Sequence, residues 1–371
     1  MLFKKSVFTG IDFRPRKLYQ AIVKMERDKP IVMEVRQTLS DKPFFENSRI
    51  KEKQELSLLL EDLQKGKGDA KKGHFVIPTE HTLIRKIRSL PDIKENELAK
   101  ILKFQLGESI VLPFENPIYD FVKIGSFEES NRTDQIKEDL LFAEAAESVD
   151  RKSEILFFAT SKELSTDLME VCEGAGIKPL TAEMRGLALQ RLVYQTHPNW
   201  VAETHMIVDV SNDSIEIHIF NDEIIIFSRS IELADVHELS DEQHSDEVLW
   251  LVDEARDEVA VTKTEGDNMV PSSQQLITDI TNEITKAQNF FRYSLGGREQ
   301  LFERIVLTGE LADQVKEGLA QAVETEVSQI DFQAILSPDF KTEASLDAFS
   351  VAIGLACRGN EKVNKKWKNK K

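Results

Sequence analysis

The sequence predicts an α/β protein of two lobes, and three observations carry the prediction. A pattern of strand, aspartate, tight turn, strand, turn, strand occurs twice, as VFTGIDFRPRKLYQAIVKMERDKPIVMEV from Val7 and as MIVDVSNDSIEIHIFNDEIIIFSRSIEL from Met206. In both copies turn residues break the β-branched runs, at Arg14-Pro15 and Asp28-Lys29 in the first and at Asn212-Asp213 and Asn221-Asp222 in the second. An aspartate closes the first strand of each copy, Asp12 and Asp209. Two folded copies then set two carboxylates across one cleft, the arrangement with which a duplicated nucleotide-binding fold holds a metal-bound triphosphate. The competing account is a plain strand-ending turn aspartate, which needs no metal.

The remaining elements follow in order. Residues 1–73 make the N-terminal part of the first lobe, closing with a helix in EKQELSLLLEDLQKG whose Leu56, Leu59, Leu60 and Leu63 have helical spacing. Residues 74–160 read as an inserted β-α-β-β unit. In it, HFVIPTEHTLIRKIRSL is strand-rich, and Asp92 with Glu95 forms a capping-box pattern. The helix that follows runs to about Ser109 and faces inward with Leu98, Ile101, Leu102 and Leu106. Strands are expected around Ile118–Ile124, Leu140–Ala146 and Glu154–Ala159. Residues 161–200 return to the first lobe through a helix stopped by Gly174 and Gly176, the strand IKPLTAEM, a helix over Arg185–Gln195 and a hinge at His197-Pro198. Residues 201–357 make the second lobe, with an amphipathic helix from beyond Pro271 to about Leu295, the strand RIVLTG and two further helices. An acidic insertion occupies 232–270, and residues 358–371 form a basic tail with too little apolar surface to fold.

Composition narrows the function classes. At 371 residues and 41% hydrophobic, the chain can fill more than one core. A formal charge of −17 disfavours nucleic acid as a partner, since no basic face dominates. Cys172 and Cys357 are too few for a disulfide framework or a zinc site. No apolar run reaches the roughly 18 residues of a membrane span, so a cytoplasmic protein is expected. His237 and His244 have no third ligand at metal spacing, and no nucleophile motif occurs, so neither a metal nor a catalytic residue is expected.

The series GIDF, LIRKIRSLP, KFQLGESIVLPFENPIYDF, AGIKPLTAEMRGLAL, FFRYSLGG and RIVLTG resembles the family of the type IV pilus assembly protein PilM, over nearly all of Val7–Arg358. The resemblance implies an actin-like fold of duplicated ribonuclease H-like lobes, related to the divisome protein FtsA, with the small unit inserted in the first lobe. It also implies a partner: the N-terminal tail of a PilN-like inner-membrane protein, gripped at the inner face of the cell membrane. Many members bind ATP between the lobes, and there the residues depart from the family pattern. After Asp12 and Phe13, where the family has Gly and Ser, this chain has Arg14, Pro15, Arg16 and Lys17. Arginine adds bulk, and proline removes an N–H that phosphate would need. Ser211 and Asn212 follow Val210 where a glycine is usual, and Glu310 with Leu311 follows Gly309 where a glycine run is usual.

The expectation is therefore a vestigial nucleotide cleft marked by Asp12, Asp209 and Gly309, with no cofactor beyond weak Mg-ATP. Arg14, Arg16 and Lys17 either hold phosphate by their side chains, point into solvent, or pair with the acidic second lobe. For the partner, the strand HTLIRKIRSL alternates, with Leu83, Arg85 and Ile87 facing the helix and Ile84, Lys86 and Arg88 facing away. A docking groove is expected on Ile84, Lys86, Arg88 and Phe104. The function expected is that of a structural adaptor of pilus, competence or secretion assembly, with self-association open. The alternatives are an ATP-hydrolysing switch and an FtsA-like filament protein whose Lys-rich tail and Trp367 touch anionic lipid.

Overall fold

The computed structural model describes residues 6–27, 29–46, 49–65, 70–128, 151–221, 223–233, 273–294 and 302–359. The β-branched runs of the first copy become β1 (Ser6–Phe13), β2 (Lys17–Glu26) and β3 (Lys29–Leu39), an antiparallel meander. A short pair, β4 (Phe45–Glu46) and β5 (Arg49–Ile50), leads to helix α1 (Lys53–Gln64), which buries Leu56, Leu60 and Leu63. Strand β6 (Lys72–Ile77) then runs parallel to β1. After the inserted unit, α3 (Lys162–Gly174), β10 (Lys178–Met184) and α4 (Arg185–Thr196) complete the first lobe, with β10 parallel to β6. The resulting sheet has the order β10-β6-β1-β2-β3.

The second lobe repeats this plan. Its meander is β11 (His205–Val210), β12 (Ser214–Asn221) and β13 (Ile224–Glu232). Helix α5 (Ser273–Ser294), β14 (Arg304–Thr308), α6 (Ala312–Ala322), β15 (Glu326–Gln329) and α7 (Ser350–Ala356) follow. The sheet order β13-β12-β11-β14-β15 matches that of the first lobe strand for strand, with β11, β14 and β15 parallel. Even an irregularity is shared: the register between the second and third strands shifts after Ile22 and after Ile219, each ten residues past its aspartate. The core of the second lobe joins Val208, Ile217 and Leu307 to Ile280 and Ile284 of α5 and to Val315 and Leu319 of α6. Helix α7 is buried over its whole length and crosses β1 so closely that a Cβ on Gly10 would meet the Ala352 carbonyl at 1.9 Å.

The chain divides into two compact units, residues 1–80 with 168–371, and residues 81–167. The smaller one holds β7 (Thr82–Pro91), α2 (Glu95–Gln105), β8 (Pro117–Glu128) and β9 (Arg151–Ser161), in a sheet of order β7-β9-β8. Its core packs Leu83, Ile87 and Leu90 of β7 and Ile155 and Phe157 of β9 on Leu98 and Leu102 of α2. Two sequence expectations differ here. His74–Ile77 lie in β6 of the first-lobe sheet, because pairing with β1 and β10 claims that run, and the compact unit begins at His81. The capping box does not form: Lys94 is the N-cap, and Asp92 accepts from Lys123 and Ser126 of β8 instead, an ion pair outcompeting a local hydrogen bond. The strand expected over Leu140–Ala146, the acidic insertion beyond 233 and the basic tail from 360 lie outside the described residues. Among the described residues no helix is long and apolar enough to cross a membrane.

Candidate functional site, a charged cleft between two hairpins

The two hairpins that follow the aspartates face each other across the cleft between the lobes. In the first, Asp12 pairs with Tyr19 across β1 and β2, and the Arg14 amide closes the turn on the Lys17 carbonyl at 2.9 Å. In the second, Asp209 pairs with Glu216, and the Ser211 amide closes on the Ser214 carbonyl at 2.9 Å. Both aspartates are buried, at 0% and 1% exposure.

What lies between them is Arg14. Its Nε is 3.2 Å from Asp12 Oδ2, and its Nη2 donates to Asp209 Oδ2 at 2.7 Å. The side chain is 2% exposed, and although burial opposes a charge there, Asp209 and Asp12 hold the guanidinium protonated well above its ordinary range. Arg185, at the start of α4, adds a second buried cation. Its Nη1 donates to Asp12 Oδ2 at 2.8 Å, its Nη2 donates to the Phe13 carbonyl at 3.3 Å, and its Nε stands 2.9 Å from Glu216 Oε1. Thr79 Oγ1 donates to the other oxygen of Glu216. Burial pushes the Glu216 carboxyl up to about 7 against the pull of Arg185. His218, on the same strand, is pushed down to about 3 by burial and then by Arg185, and stays neutral. Each aspartate gives one oxygen to the guanidinium groups; Asp12 Oδ1, Asp209 Oδ1 and Arg14 Nη1 find no hydrogen-bond partner among the described residues.

A second cluster, also joining the two lobes, forms around Glu310. Lys17 Nζ donates to Glu310 Oε2 at 2.5 Å, Tyr19 Oη donates to Oε1, and Asn212 Nδ2 donates to Oε2. Burial would raise the Glu310 carboxyl, but the hydrogen bonds from Lys17 and Tyr19 hold it below its ordinary value. Burial and Glu310 push the Tyr19 phenol far up, so it remains a donor. Gly309 adopts φ +101°, and a Cβ there would meet Asp209 Oδ1 at 2.4 Å. Gly309 thus lets β14 turn against the aspartate.

Of the three cations after Asp12, Arg14 and Lys17 pair with acids of the second lobe, Asp209 and Glu310, while Arg16 donates to the Asp41 carbonyl at 3.0 Å. The residues do not fit a metal-bound triphosphate. A fixed cation already stands between the two aspartates, Pro15 offers no amide, and the Glu310 carboxylate follows directly on Gly309. Among the described residues no group of three or more His, Cys, Asp or Glu side chains could hold a metal ion.

The structure brings Asp12, Asp209 and Gly309 together, and with them Arg185, Glu216, Thr79 and Tyr19, which the sequence expectations did not include. Glu216 did leave a signal: in SIEIHIF the acid alternates with isoleucines in a strand buried on both faces.

On the inserted unit, Ile84 stands opposite Phe158 and Lys86 opposite Leu156, on the sheet face away from α2. Lys86 and Arg88 both pair with Glu154. Phe104 is 77% exposed and lies on α2, turned away from Leu98 and Leu102. The structure therefore brings Ile84, Lys86 and Arg88 together and puts Phe104 on the other side of the unit. The single four-residue groove is corrected accordingly, because α2 covers the Leu83 face and separates Phe104 from the Ile84 face.

Two lobes of identical strand order, each with an aspartate one residue from the end of its first strand and facing the other lobe's, define an actin-like fold. The model of the type IV pilus assembly protein PilM family matches residues 10–360, and the chain belongs to that family. Among solved structures it is similar to a chain of a PilM-PilN type IV pilus biogenesis complex, with TM-score 0.64 and 14% identity over 95% of this chain and 98% of that one. It is also similar to the ethanolamine utilization protein EutJ from Carboxydothermus hydrogenoformans, with TM-score 0.45 and 8% identity over 97% and 91%. The cytoplasmic domain of EpsL from the type II secretion system of Vibrio cholerae aligns with TM-score 0.46 and 8% identity over 94% and 93%. A search of curated protein sequences returns no match.

Proposed function

We propose that this protein is a cytoplasmic structural adaptor of type IV pilus assembly, or of a related competence or secretion machine, held at the inner face of the cell membrane through a PilN-like partner. The observation that carries the choice of adaptor over ATP-driven switch is the Arg14 bridge. The cation that a nucleotide-dependent cleft would take from bound metal is here part of the chain, joined to both aspartates. Membership of the PilM family and the likeness to a PilM-PilN complex support a PilN-like partner.

The proposed dock is β7. It lies at the edge of its three-stranded sheet, so an extended tail can add to it by backbone pairing, with Ile84 giving an apolar contact and Lys86 and Arg88 polar ones. The test is calorimetry with a synthetic peptide copying the first dozen or so residues of the PilN-like protein encoded beside this chain. Micromolar binding is expected. Ile84→Asp should weaken it by roughly 1–3 kcal/mol, the scale of one buried apolar side chain, while Phe104→Asp, on the other side of the unit, leaves it unchanged. Wild-type affinity in a folded Ile84→Asp variant would place the dock elsewhere.

A further inference from the structure

The contacts that close the cleft join the first lobe to the second, and side chains of this chain make all of those described. Arg14 reaches Asp209 at 2.7 Å, Lys17 reaches Glu310 at 2.5 Å, Tyr19 donates to Glu310, and Thr79 donates to Glu216. Asn212, from the hairpin of the second lobe, also donates to Glu310 and so aims it. In a two-lobed protein that closes on a ligand, the ligand brings the charge that draws the halves together, and they part when it leaves. Here that charge cannot leave. Removing the guanidinium would strand Asp12 and Asp209, both buried, beside each other with Arg185, among the described residues, as the remaining nearby cation, at 2.8 Å from one and 4.0 Å from the other.

We infer that Arg14 and Glu310 form an interlobe latch. Arg14 occupies the place of a ligand's cation between the two aspartates, and Glu310 bolts the first hairpin to the second, so that the lobes are closed without any ligand. This rests on the reading of the cleft proposed above but not on the identity of the partner, so a failure of peptide binding would leave it standing.

The test uses the full chain, with amide hydrogen exchange read over residues 13–17 and 210–214 and the radius of gyration from small-angle scattering. Glu310→Gln keeps the buried Arg14 centre and should speed exchange in both hairpins by about tenfold or more, as expected for loss of a charged hydrogen-bond acceptor. Arg14→Ala should increase the radius of gyration. Methylguanidinium, but not tetramethylammonium at equal ionic strength, should restore it by refilling the space between the aspartates. Folded variants with wild-type protection and radius would overturn the latch. So would a wild-type protein that contracts when Mg-ATP is added. If Arg14→Ala fails to fold, Glu310→Gln decides alone, and unchanged protection in it refutes the inference.

Discussion

Glu216 shows how burial and ion pairing compete at a single residue. Burial raises its carboxyl from the ordinary 4.5 to about 7 although Arg185 pulls the other way. The folded state therefore binds this proton more tightly than the unfolded one, and the stability the group contributes is full below about pH 4.5 and is lost as pH rises toward 7. Glu216→Gln cannot ionise. Its stability relative to wild type is expected to climb between those two pH values and then level off, as thermal melts at stepped pH would read. His218 is present in both proteins, so its own titration cancels in the comparison. A flat difference across the window would show that the carboxylate is not held in a desolvated site. Asp12 and Asp209 were legible because each ends a strand at a repeated position, but no local pattern names the arginine that will sit between them. Arg14 lies two residues from one aspartate and is bonded to another 195 residues away.

At the scale of elements, helix α7 and strand β1 are set by backbone approach rather than by side chains. A Cβ on Gly10 would stand 1.9 Å from the Ala352 carbonyl and 2.8 Å from the Ala356 amide, and neither can move without shifting the helix. Gly10→Ala is expected to destabilise the fold by about 1–3 kcal/mol, the range for overpacking a tight core, measurable by denaturant unfolding. A neutral effect would mean that α7 slides readily on the sheet. Other elements were readable without the structure. The alternation in HTLIRKIRSL correctly sets Leu83 and Ile87 on α2, since a strand that buries one face must alternate. Leu90 joins the same core only because the register shifts after Ile87, a bulge that no spacing announced. The capping box failed for a related reason: Asp92 had a stronger partner in Lys123, thirty-one residues away.

For the whole molecule, a cleft closed by its own charges has a thermodynamic signature. A ligand that binds only the folded state stabilises it by RT ln(1 + L/Kd), with L the free ligand concentration, and so raises the melting temperature. Mg-ATP at concentrations near a millimolar would add about 2.7 kcal/mol to a protein that binds it with a dissociation constant near 10 μM. The expected result here is no shift in the melt and no heat by calorimetry. A clear upward shift, abolished by Asp209→Ala in a folded protein, would restore the switch reading.

The two lobes and their order were legible in the sequence. Hydrophobic periodicity, turn chemistry and a repeated aspartate are local properties, and duplication makes each lobe a check on the other. The residues that follow Asp12 and Asp209 are equally plain there, since a proline without an N–H or an added side chain is visible in a single residue. Only the tertiary structure decided what the cleft holds instead. Whether Arg14, Arg16 and Lys17 meet phosphate, solvent or acid depends on which carboxylates from distant segments arrive within about 3 Å, where desolvation makes each charge seek a partner. Asp209, Glu216 and Glu310 arrive from the far lobe, and Arg185 from α4 of the first lobe.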